Sequence, residues 1–544
     1  MTHSSDDRDH PSPTTDFDTL IIGAGLSGLY QLYRVRELGL SARVIEAGSD
    51  VGGTWYWNRY PGARFDSESY TYGYSFSPEL LQEWNWSEHF APQPETLRYV
   101  GYVADKFDLR RDILFKRRVV SAHWQEESRA WRVALDTGEV MTARFLITAI
   151  GALSAPTLPR IEGLDSFQGI SCHTAHWPHE PVSFEGKRVA VIGTGATGVQ
   201  TIQEVAKTAA HLTVFQRTPN WCAPLHNGPI TEAQQSALKS SYPEIFQRCR
   251  DSVSGFIHNP DPRRTLEVSA QEREAFWEQR YGEPGFGIWV GNFRDVLMDR
   301  DANALMSDFV ARKIRQRVKN PAVAEKLIPR NHGFGTRRLP LETRYYEVYN
   351  QANVELVDLH ETPIERVTAS GIRTSAREFE FDMIIYATGF DALTGAYDRI
   401  DIRGTGGQRL KDQWTPGAQT FYGIQNAGFP NLLMVMGPMG ALGNIPRSIE
   451  YNVEWVARLL QHMQARGLTR VEPRQESVQA WMDVCRQASV GLLSNEVNSW
   501  MTGVNANVQG KSTRVLARYS GTGPDYRARC EAVAAGGYLE LQLS

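Results

Sequence analysis

The sequence predicts an α/β fold, and three observations carry that prediction. A Gly-x-Gly-x-x-Gly turn occurs twice, at Gly23 to Gly28 and at Gly193 to Gly198. Each turn stands between an apolar run rich in strand formers and a stretch of helically spaced apolar residues. The length of 544 residues exceeds what one hydrophobic core usually supports, so several domains are expected. Together these features predict two Rossmann-like dinucleotide-binding domains with a helical insertion.

The first glycine turn belongs to a complete β-turn-α-β unit. Strand formers occupy 17–22, the glycines are Gly23, Gly25 and Gly28, and a second strand-like run ends at Glu46. Glycines let the backbone approach a pyrophosphate closely, and the helix N-terminus offers free N–H groups to that anion. An acidic residue about 20 positions farther on accepts hydrogen bonds from a ribose. The unit therefore predicts dinucleotide binding rather than an unspecialised β-turn-α unit.

The second glycine turn differs from the first at the ribose position. Gly193, Gly195 and Gly198 form the turn, but the next strand is followed by Arg217 and Thr218 and not by an acid. A cation in this place can pair with a 2′-phosphate, which predicts NADP, although a surface arginine closing a strand is the simpler alternative. The N-terminal unit, with its acid, suits the ADP half of FAD. The two units together predict FAD and NADPH as cofactors.

Composition excludes several classes of function. The net charge is −4 and the pI is about 6.4, so nothing is basic enough to follow a nucleic-acid backbone. The most apolar stretch, 431–445, is too short and too glycine-rich to span a bilayer, and the N-terminus lacks signal-peptide features. The five cysteines form no Cys-x-x-Cys pair, which disfavours a disulfide reductase. We expect a cytoplasmic monomer without membrane or nucleic-acid partners.

Shifts in local pattern divide the chain into four parts. Alternating apolar residues over 113–151 predict a β-meander, and Pro156 and Pro159 mark a linker after it. The polar, helically spaced insertion contains aromatic residues that either shape a substrate entrance or pack the insertion itself. The expected parts are a disordered tail (1–16), an FAD-binding domain (17–155 and 390–544), an NADP-binding domain (156–224 and 335–389) and the helical insertion (225–334).

The stretch FQGISCHTAHWP, residues 167–178, has two interpretations. His173, His176 and the nearby His179 are spaced as zinc ligands on one helix face would be. Pro178 would break such a helix, and no cluster of cysteines or carboxylates in this stretch completes a metal shell. We therefore expect no metal here, and we interpret the stretch as a linker between the two nucleotide domains.

The same stretch carries a family motif. Phe167, Gly169, His173, Trp177 and Pro178 fill every place of the pattern F-x-G-x-x-x-H-x-x-x-W-[PD], which resembles the signature of Baeyer–Villiger monooxygenases. Related flavin-containing N- and S-oxygenases carry Phe or Tyr in place of the tryptophan. The resemblance implies that the linker couples the relative motion of the two domains to the reaction, a role that we assign to His173 and Trp177.

A second family pattern follows the first glycine turn. The pattern G-x-W-x-x-x-x-[YF]-P-G-x-x-x-D is matched by Gly53, Trp55, Tyr60, Pro61, Gly62 and Asp66. The resemblance extends over about residues 18–511. It implies that Gly53, Thr54 and Trp55 lie against a cofactor.

The resemblance implies a specific reaction. Members of the family use NADPH, FAD and O2 to insert an oxygen atom next to a ketone carbonyl, through a flavin C4a-peroxide, and they release an ester or lactone. The ketone is not identified by the sequence, so cyclic, polycyclic, linear and aryl ketones remain open. A flavin-containing N- or S-monooxygenase is the alternative function, and a catalytically silent nucleotide-binding protein is a more distant one.

The resemblance also implies the residues that do the chemistry. Arg338 aligns with the catalytic arginine, whose fixed charge stabilises negative charge on oxygen, and Asp66 aligns with the carboxylate that positions it. Arg337 stands where the family commonly has the lysine that binds the 2′-phosphate. Trp500 matches a tryptophan that hydrogen-bonds NADP. The residues expected to border the ketone pocket are Met439, Gly440, Ala441 and Leu442.

Overall fold

The computed structural model describes residues 15–544. The tail expected at 1–16 lies outside the described residues except for its last two. Of these, Asp16 is tied down, because its carboxylate accepts hydrogen bonds from the backbone N–H and the hydroxyl of Thr142, both at 2.8 Å.

The described chain alternates strands and helices in the way that the glycine-turn pattern predicts. The strands are β1 (Phe17–Ile22), β2 (Ala42–Ile45), β3 (Ile113–Leu114), β4 (Val119–Gln125), β5 (Ala130–Leu135), β6 (Val140–Thr148), β7 (Ile170–His173), β8 (Arg188–Ile192), β9 (His211–Gln216), β10 (Ala223–Pro224), β11 (Leu341–Glu342), β12 (Val354–Asp358), β13 (Ile364–Val367), β14 (Gly371–Thr374), β15 (Glu378–Glu380), β16 (Met383–Tyr386), β17 (Asp401–Arg403), β18 (Leu432–Met434), β19 (Val471–Pro473) and β20 (Leu541–Leu543). The helices are α1 (Leu26–Glu37), α2 (Thr54–Trp57), α3 (Ser69–Tyr72), α4 (Pro78–Glu83), α5 (Gln93–Lys106), α6 (Ala196–Val205), α7 (Glu232–Ser240), α8 (Tyr242–Asp251), α9 (Ala270–Gly282), α10 (Gly287–Val290), α11 (Arg300–Arg317), α12 (Pro321–Leu327), α13 (Tyr345–Val348), α14 (Leu410–Gln413), α15 (Ile445–Arg466), α16 (Gln475–Ala488) and α17 (Gly523–Ala535).

The first sheet contains the first glycine turn. Its strand order is β17-β4-β5-β6-β1-β2-β3, and β18 also pairs with β6. β1 lies parallel to both β2 and β6, while β4, β5 and β6 form the expected antiparallel meander. Because β17 and β18 come from the last third of the chain, the C-terminal part returns to this sheet.

The second sheet contains the second glycine turn. Its order is β12-β9-β8-β16-β7, and every pairing in it is parallel. The linker motif enters this sheet as the edge strand β7, and β16 is the strand through which the chain leaves it. The fold is therefore the predicted pair of Rossmann-like units. The residue boundaries that we assigned to the domains remain a prediction.

Helices α7 to α12 form the insertion and share one hydrophobic core with the second sheet. Trp277 and Phe309 of the insertion belong to the same buried cluster as Val189 and Val191 of β8. The indole N–H of Trp277 donates to Asn292 Oδ1 at 2.9 Å, so this aromatic residue packs the insertion. Within residues 15–544, no helix is both long enough and apolar enough to cross a membrane.

Candidate active site

The first glycine turn, Gly23 to Gly28, forms a cradle of backbone atoms with no room for a Cβ at Gly23 or Gly28. Gly23 has a φ of +103°, and a Cβ there would lie 2.6 Å from the carbonyl oxygen of Ala149. At Gly28 a Cβ would lie 1.8 Å from the oxygen of Gly23. Helix α1 begins directly after Gly25, with no side chain capping its first turn. Its free N–H groups therefore fit the pyrophosphate of a dinucleotide, as the sequence predicts for FAD.

Glu46 lies at the mouth of this cradle. Its Oε2 accepts a hydrogen bond from the N–H of Ala24 at 2.7 Å, and its Oε1 accepts one from Gly48 at 2.6 Å. Burial raises the pKa of the Glu46 carboxyl, and the two backbone bonds act in the opposite direction. The carboxylate is thus oriented beside the glycine turn, where the predicted ribose would lie.

Gly53, Thr54 and Trp55 form the start of α2 next to the cradle. A Cβ at Gly53 would lie 2.8 Å from Cα of Gly25, so the two backbones touch, and Thr54 is exposed. Trp55 is turned inward: its indole N–H donates to the Tyr72 hydroxyl at 3.0 Å. The indole N–H of Trp55 thus has a partner within the protein, and cofactor contact by these three residues remains a prediction.

The second glycine turn repeats the design with one difference. A Cβ would lie 2.4 Å from Ala387 O at Gly193 and 2.2 Å from Gly193 O at Gly198. Gly195, in contrast, has no atom within 4 Å of its Cβ position, so the space above the N-terminus of α6 is open. This space fits the second pyrophosphate.

Two arginines without acidic partners lie close to each other beside the second turn. Arg217 is exposed and follows β9. Burial, and then the charge of Arg217, lower the pKa of Arg337. Arg337 donates one hydrogen bond, from Nη2 to Asn498 O at 3.0 Å, while its buried Nε has no partner within 15–544. No salt bridge in the described chain involves either arginine, so the pair fits a phosphate dianion. The backbone oxygen of Thr218 accepts a hydrogen bond from the Thr194 hydroxyl at 3.1 Å.

Replacement of Arg217 by alanine tests the phosphate assignment. A charge-assisted hydrogen bond contributes about 1.5–3 kcal/mol, so the KM for NADPH should rise roughly tenfold to a hundredfold. The KM for NADH should scarcely change, because NADH lacks the phosphate. Steady-state kinetics with both coenzymes give the answer, and Arg366→Ala, which removes an exposed arginine paired with Glu162, is the control. Equal losses with NADPH and NADH would show that Arg217 does not bind the phosphate.

Asp66 and Arg338 meet at the junction of the two nucleotide-binding units. Arg338 Nη1 donates to Asp66 Oδ2 at 2.5 Å, and the N–H of Leu341 donates to the same oxygen at 3.3 Å. The Asp66 side chain is only 1% exposed, whereas that of Arg338 is 33% exposed. The aspartate is therefore a buried anchor for a guanidinium that stays partly exposed. Asn220, which the sequence did not single out, donates to Arg338 O at 3.2 Å.

The loop that carries Asp66 is bound directly to the helix of the second glycine turn. The hydroxyl of Tyr60 donates to Gln200 Oε1 at 2.8 Å, and Gln200 Nε2 donates to Arg64 O at 3.1 Å. Burial, and then the nearby charge of Asp66, raise the pKa of Tyr60. Sequence reasoning missed Gln200, although a polar residue on the buried face of α6 was a usable signal.

Aromatic residues of the insertion lie beside Arg338. The guanidinium lies over the Phe286 ring, 5.6 Å from its centroid. Phe286 contacts Phe256 and Trp289 at ring distances of 5.1 and 5.6 Å, and the Trp289 indole donates to Gly335 O at 3.2 Å. Trp277 therefore packs the insertion, whereas Phe286 and Trp289 lie near Arg338, and a role of these two in a substrate entrance remains a prediction.

The predicted pocket loop divides into a buried half and an accessible half. Met439 and Gly440 are buried, and Met439 O accepts a hydrogen bond from the Trp481 indole at 3.2 Å. Ala441 and Leu442 are only partly buried. The chain then reaches the insertion, where the N–H of Asn444 donates to Ser254 O at 2.9 Å, two residues before Phe256. A pocket lined by this loop remains a prediction, carried best by Ala441 and Leu442.

The linker motif is held by hydrogen bonds and by packing. His173 lies in β7, where its Nδ1 accepts from the N–H of Ala175 at 3.0 Å and its Nε2 lies 3.2 Å from Thr157 O. Burial lowers the pKa of His173 to about 4, so the imidazole is neutral. Trp177 is buried, and a Cβ at Gly169 would lie 2.5 Å from the Phe167 ring.

The side chains of the other two histidines of this region pack against aromatic residues, although the N–H of His176 donates to His173 O at 2.9 Å. His176 and His179 are exposed, and they lie against Trp57 and Tyr56 at ring distances of 5.5 and 5.2 Å. Within the described range, no three His, Cys, Asp or Glu side chains are placed to hold a metal ion.

The C-terminal loop that carries Trp500 is anchored at its far end. Trp500 begins a short 3-10 turn that ends at Thr502. Lys511 Nζ lies 2.5 Å from Asp391 Oδ1, and Asn505 Nδ2 donates to Phe390 O at 2.8 Å. The loop therefore lies against the segment that leaves the second sheet after β16. A contact between Trp500 and NADP remains a prediction.

Comparisons with known proteins cover nearly the whole chain. A family model described as pyridine nucleotide-disulphide oxidoreductase matches residues 20–239. The chain is 47% identical to the 2-oxo-Delta(3)-4,5,5-trimethylcyclopentenylacetyl-CoA monooxygenase of Pseudomonas putida, over 97% of this chain and 98% of that protein. It is 43% identical to a Baeyer-Villiger monooxygenase of Pseudooceanicola batsensis, over 97% and 96%. A crystal structure of OTEMO with FAD and NADP matches with a TM-score of 0.93 at 47% identity, covering 98% of this chain and 100% of that one.

Proposed function

This chain belongs to the Baeyer–Villiger monooxygenase family, and from that premise we propose that its Arg338–Asp66 pair directs the insertion of oxygen into a cyclic ketone. The enzyme is an FAD-containing monooxygenase that uses NADPH and O2 to convert a ketone into an ester or lactone. Ketone, O2, NADPH and a proton give the ester, water and NADP. The alternative function, oxygenation of nitrogen or sulfur, is not favoured by these relatives.

One observation carries the assignment of the reaction centre: a permanently charged guanidinium is fixed by a buried carboxylate between the two nucleotide cradles. Bound FAD, once reduced by NADPH, supplies the activation of O2. Attack on the ketone carbonyl places negative charge on the substrate oxygen, and Arg338 stabilises that charge from a preorganised position. A guanidinium suits this role because it remains protonated and cannot quench the oxygen nucleophile.

The other residues of the site bind, orient and exclude water. In this proposal the N-terminus of α1 and Glu46 bind the FAD pyrophosphate and ribose, and Arg217 with Arg337 binds the NADP 2′-phosphate. The uncapped helix, the oriented carboxylate and the two adjacent arginines support it. Phe286 lies over the guanidinium and excludes water from that part of it, while the rest of the Arg338 side chain stays accessible.

A cyclic ketone is the substrate class that the surroundings and the relatives favour. The accessible part of the pocket loop, Ala441 and Leu442, is apolar. The ring that lies over Arg338 is Phe286, and it packs against Phe256 and Trp289. The relative from Pseudomonas putida acts, by its name, on a substituted cyclopentenyl compound. An apolar pocket of this kind suits a compact ring, which loses little conformational freedom on binding.

A product screen tests this substrate class. Purified enzyme with FAD and NADPH would be offered cyclopentanone, cyclohexanone, 2-octanone and acetophenone, with thioanisole as the probe of sulfur oxygenation. We expect lactones from the cyclic ketones at a higher kcat/KM than esters from the linear and aryl ketones. Preferred conversion of 2-octanone or acetophenone would contradict the cyclic class, and a sulfoxide as the main product would contradict the proposed function.

We further propose that the enzyme acts as a monomer in the cytoplasm. All five cysteines are buried free thiols, which suits a reducing compartment. Sedimentation at micromolar concentration, where a stable dimer would be evident, measures the oligomeric state.

A further inference from the structure

A buried ion-pair network holds the segment that follows Arg338. Arg317, the last residue of α11, donates from Nη1 to Glu342 Oε1 at 2.6 Å and from Nη2 to Glu342 Oε2 at 3.1 Å. Its Nε and Nη2 also donate to the Glu347 carboxylate at 2.7 and 2.8 Å. The Glu342 side chain is fully buried, whereas that of Glu347 is 33% exposed. Arg317 therefore neutralises a carboxylate that water cannot reach.

Glu342 and its neighbour Leu341 are held by different parts of the molecule. The N–H of Leu341 donates to Asp66 Oδ2, the same oxygen that Arg338 contacts. The N–H of Leu225 donates to Glu342 O at 2.8 Å, as β11 pairs with β10. Arg317 thus fixes one residue of a two-residue strand, and Asp66 fixes the other. A shift of Glu342 would move the adjacent Leu341 relative to Asp66. Because Arg338 contacts the same Asp66 oxygen, the position of Arg338 would change as well.

We propose that Arg317 is a positioning residue for oxygen insertion, acting through Glu342 to set where Arg338 stands relative to Asp66. The inference rests on the proposed role of Arg338. A planar guanidinium can hold both oxygens of Glu342 and reach Glu347 at the same time, which a lysine ammonium cannot do with comparable geometry. Replacing both partners of a buried ion pair with neutral residues is often tolerated, so stability alone does not require this pair.

Three variants separate positioning from stability. Arg317→Met combined with Glu342→Gln removes the pair without leaving a fully buried charge, because Glu347 is partly exposed and can be solvated. Arg317→Lys keeps the positive charge but loses the planar guanidinium that bonds both oxygens of Glu342. Arg312→Met is the matched control, because Arg312 lies on the same helix in an exposed pair with Glu274. Each variant is assayed for melting temperature, for flavin reduction by NADPH, and for ester and hydrogen peroxide formed per NADPH with cyclohexanone.

We expect kcat for ester formation to fall roughly tenfold to a hundredfold in the double variant, which is the scale of a misplaced catalytic group. The ketone KM and the rate of flavin reduction should stay near the parent values. The electrons taken from NADPH should reduce O2 to hydrogen peroxide instead of supporting ester formation. Arg317→Lys should lie between parent and double variant, and Arg312→Met should match the parent.

Two outcomes would overturn the proposal. One is a parent-like yield of ester per NADPH in both the double variant and Arg317→Lys, whatever their melting temperatures. The other is a loss of flavin reduction equal to the loss of ester, which would indicate general damage. If Arg338→Ala loses ester while these variants keep it, only the role of Arg317 fails. If Arg338→Ala keeps ester, the proposed role of Arg338 fails first.

Discussion

Replacement of Arg338 by alanine is expected to lower the rate of ester formation by roughly 10²–10³, which is the usual effect of removing one preorganised stabiliser of developing charge. The guanidinium lies between the two glycine cradles and is part of neither, so FAD should stay bound and NADPH should still reduce it. Oxygen would then leave as hydrogen peroxide. Asp66→Ala should show a similar but milder defect, because the aspartate only positions the arginine.

The two half-reactions can be followed separately in these variants. Stopped-flow absorbance records flavin reduction, and gas chromatography with a peroxide assay records how the oxygen is used. Arg330→Ala is the control, since Arg330 is an arginine of the same part of the chain in an exposed pair with Glu325. If Arg338→Ala makes ester near the parent rate, the stabilising charge must come from elsewhere in the molecule.

Replacement of Gly28 by alanine is expected to abolish FAD binding. The added Cβ would lie 1.8 Å from the oxygen of Gly23 and 2.9 Å from its carbonyl carbon, and both are backbone atoms that cannot rotate away. Relief requires the turn to move, which would displace the N-terminus of α1 from the pyrophosphate site. The purified variant should be colourless and inactive. Absorbance near the flavin band, relative to protein, gives the FAD content.

A second glycine of the same domain controls for the substitution itself. Gly101 lies inside α5, and a Cβ there would meet only the side chain of Arg110, at 3.6 Å. Gly101→Ala should therefore keep the parent's FAD content and be at least as stable, since alanine favours a helix by about 1 kcal/mol over glycine. A yellow, active Gly28→Ala enzyme would show that the turn tolerates a Cβ at this position and that close packing there is not needed for FAD binding.

The two nucleotide-binding units could be predicted from the sequence because their geometry is local. Gly23 and Gly193 adopt φ values of +103° and +109°, and Gly28 and Gly198 leave no room for a Cβ, so the backbone conformation itself dictates the glycine pattern. The meander and the order of strands and helices likewise follow from short-range periodicity. The return of β17 and β18 to the first sheet brings together distant parts of the chain. The sequence predicts that the chain returns to the first domain, but not which strands β17 and β18 pair with.

The reaction centre depends on contacts that the sequence does not mark. Asp66 and Arg338 are 272 positions apart, and only the family resemblance paired them in advance. The buried pair of Arg317 and Glu342 had no such signal, because an arginine ending a helix looks like any solvated arginine. The hydrogen-bond partner of a side chain is likewise not marked in the sequence: the indole N–H of Trp55 donates to the Tyr72 hydroxyl, 17 positions away.

The most direct test of the central claim is the isotopic composition of the product formed under labelled oxygen. Purified enzyme with FAD, NADPH and cyclohexanone would react under ¹⁸O2 in ordinary water, and mass spectrometry would read the lactone. The account predicts one labelled atom in each lactone molecule, with the label at the ring oxygen inserted beside the carbonyl. Unlabelled lactone, or NADPH consumption with hydrogen peroxide as the only oxygen product for every ketone tried, would contradict it.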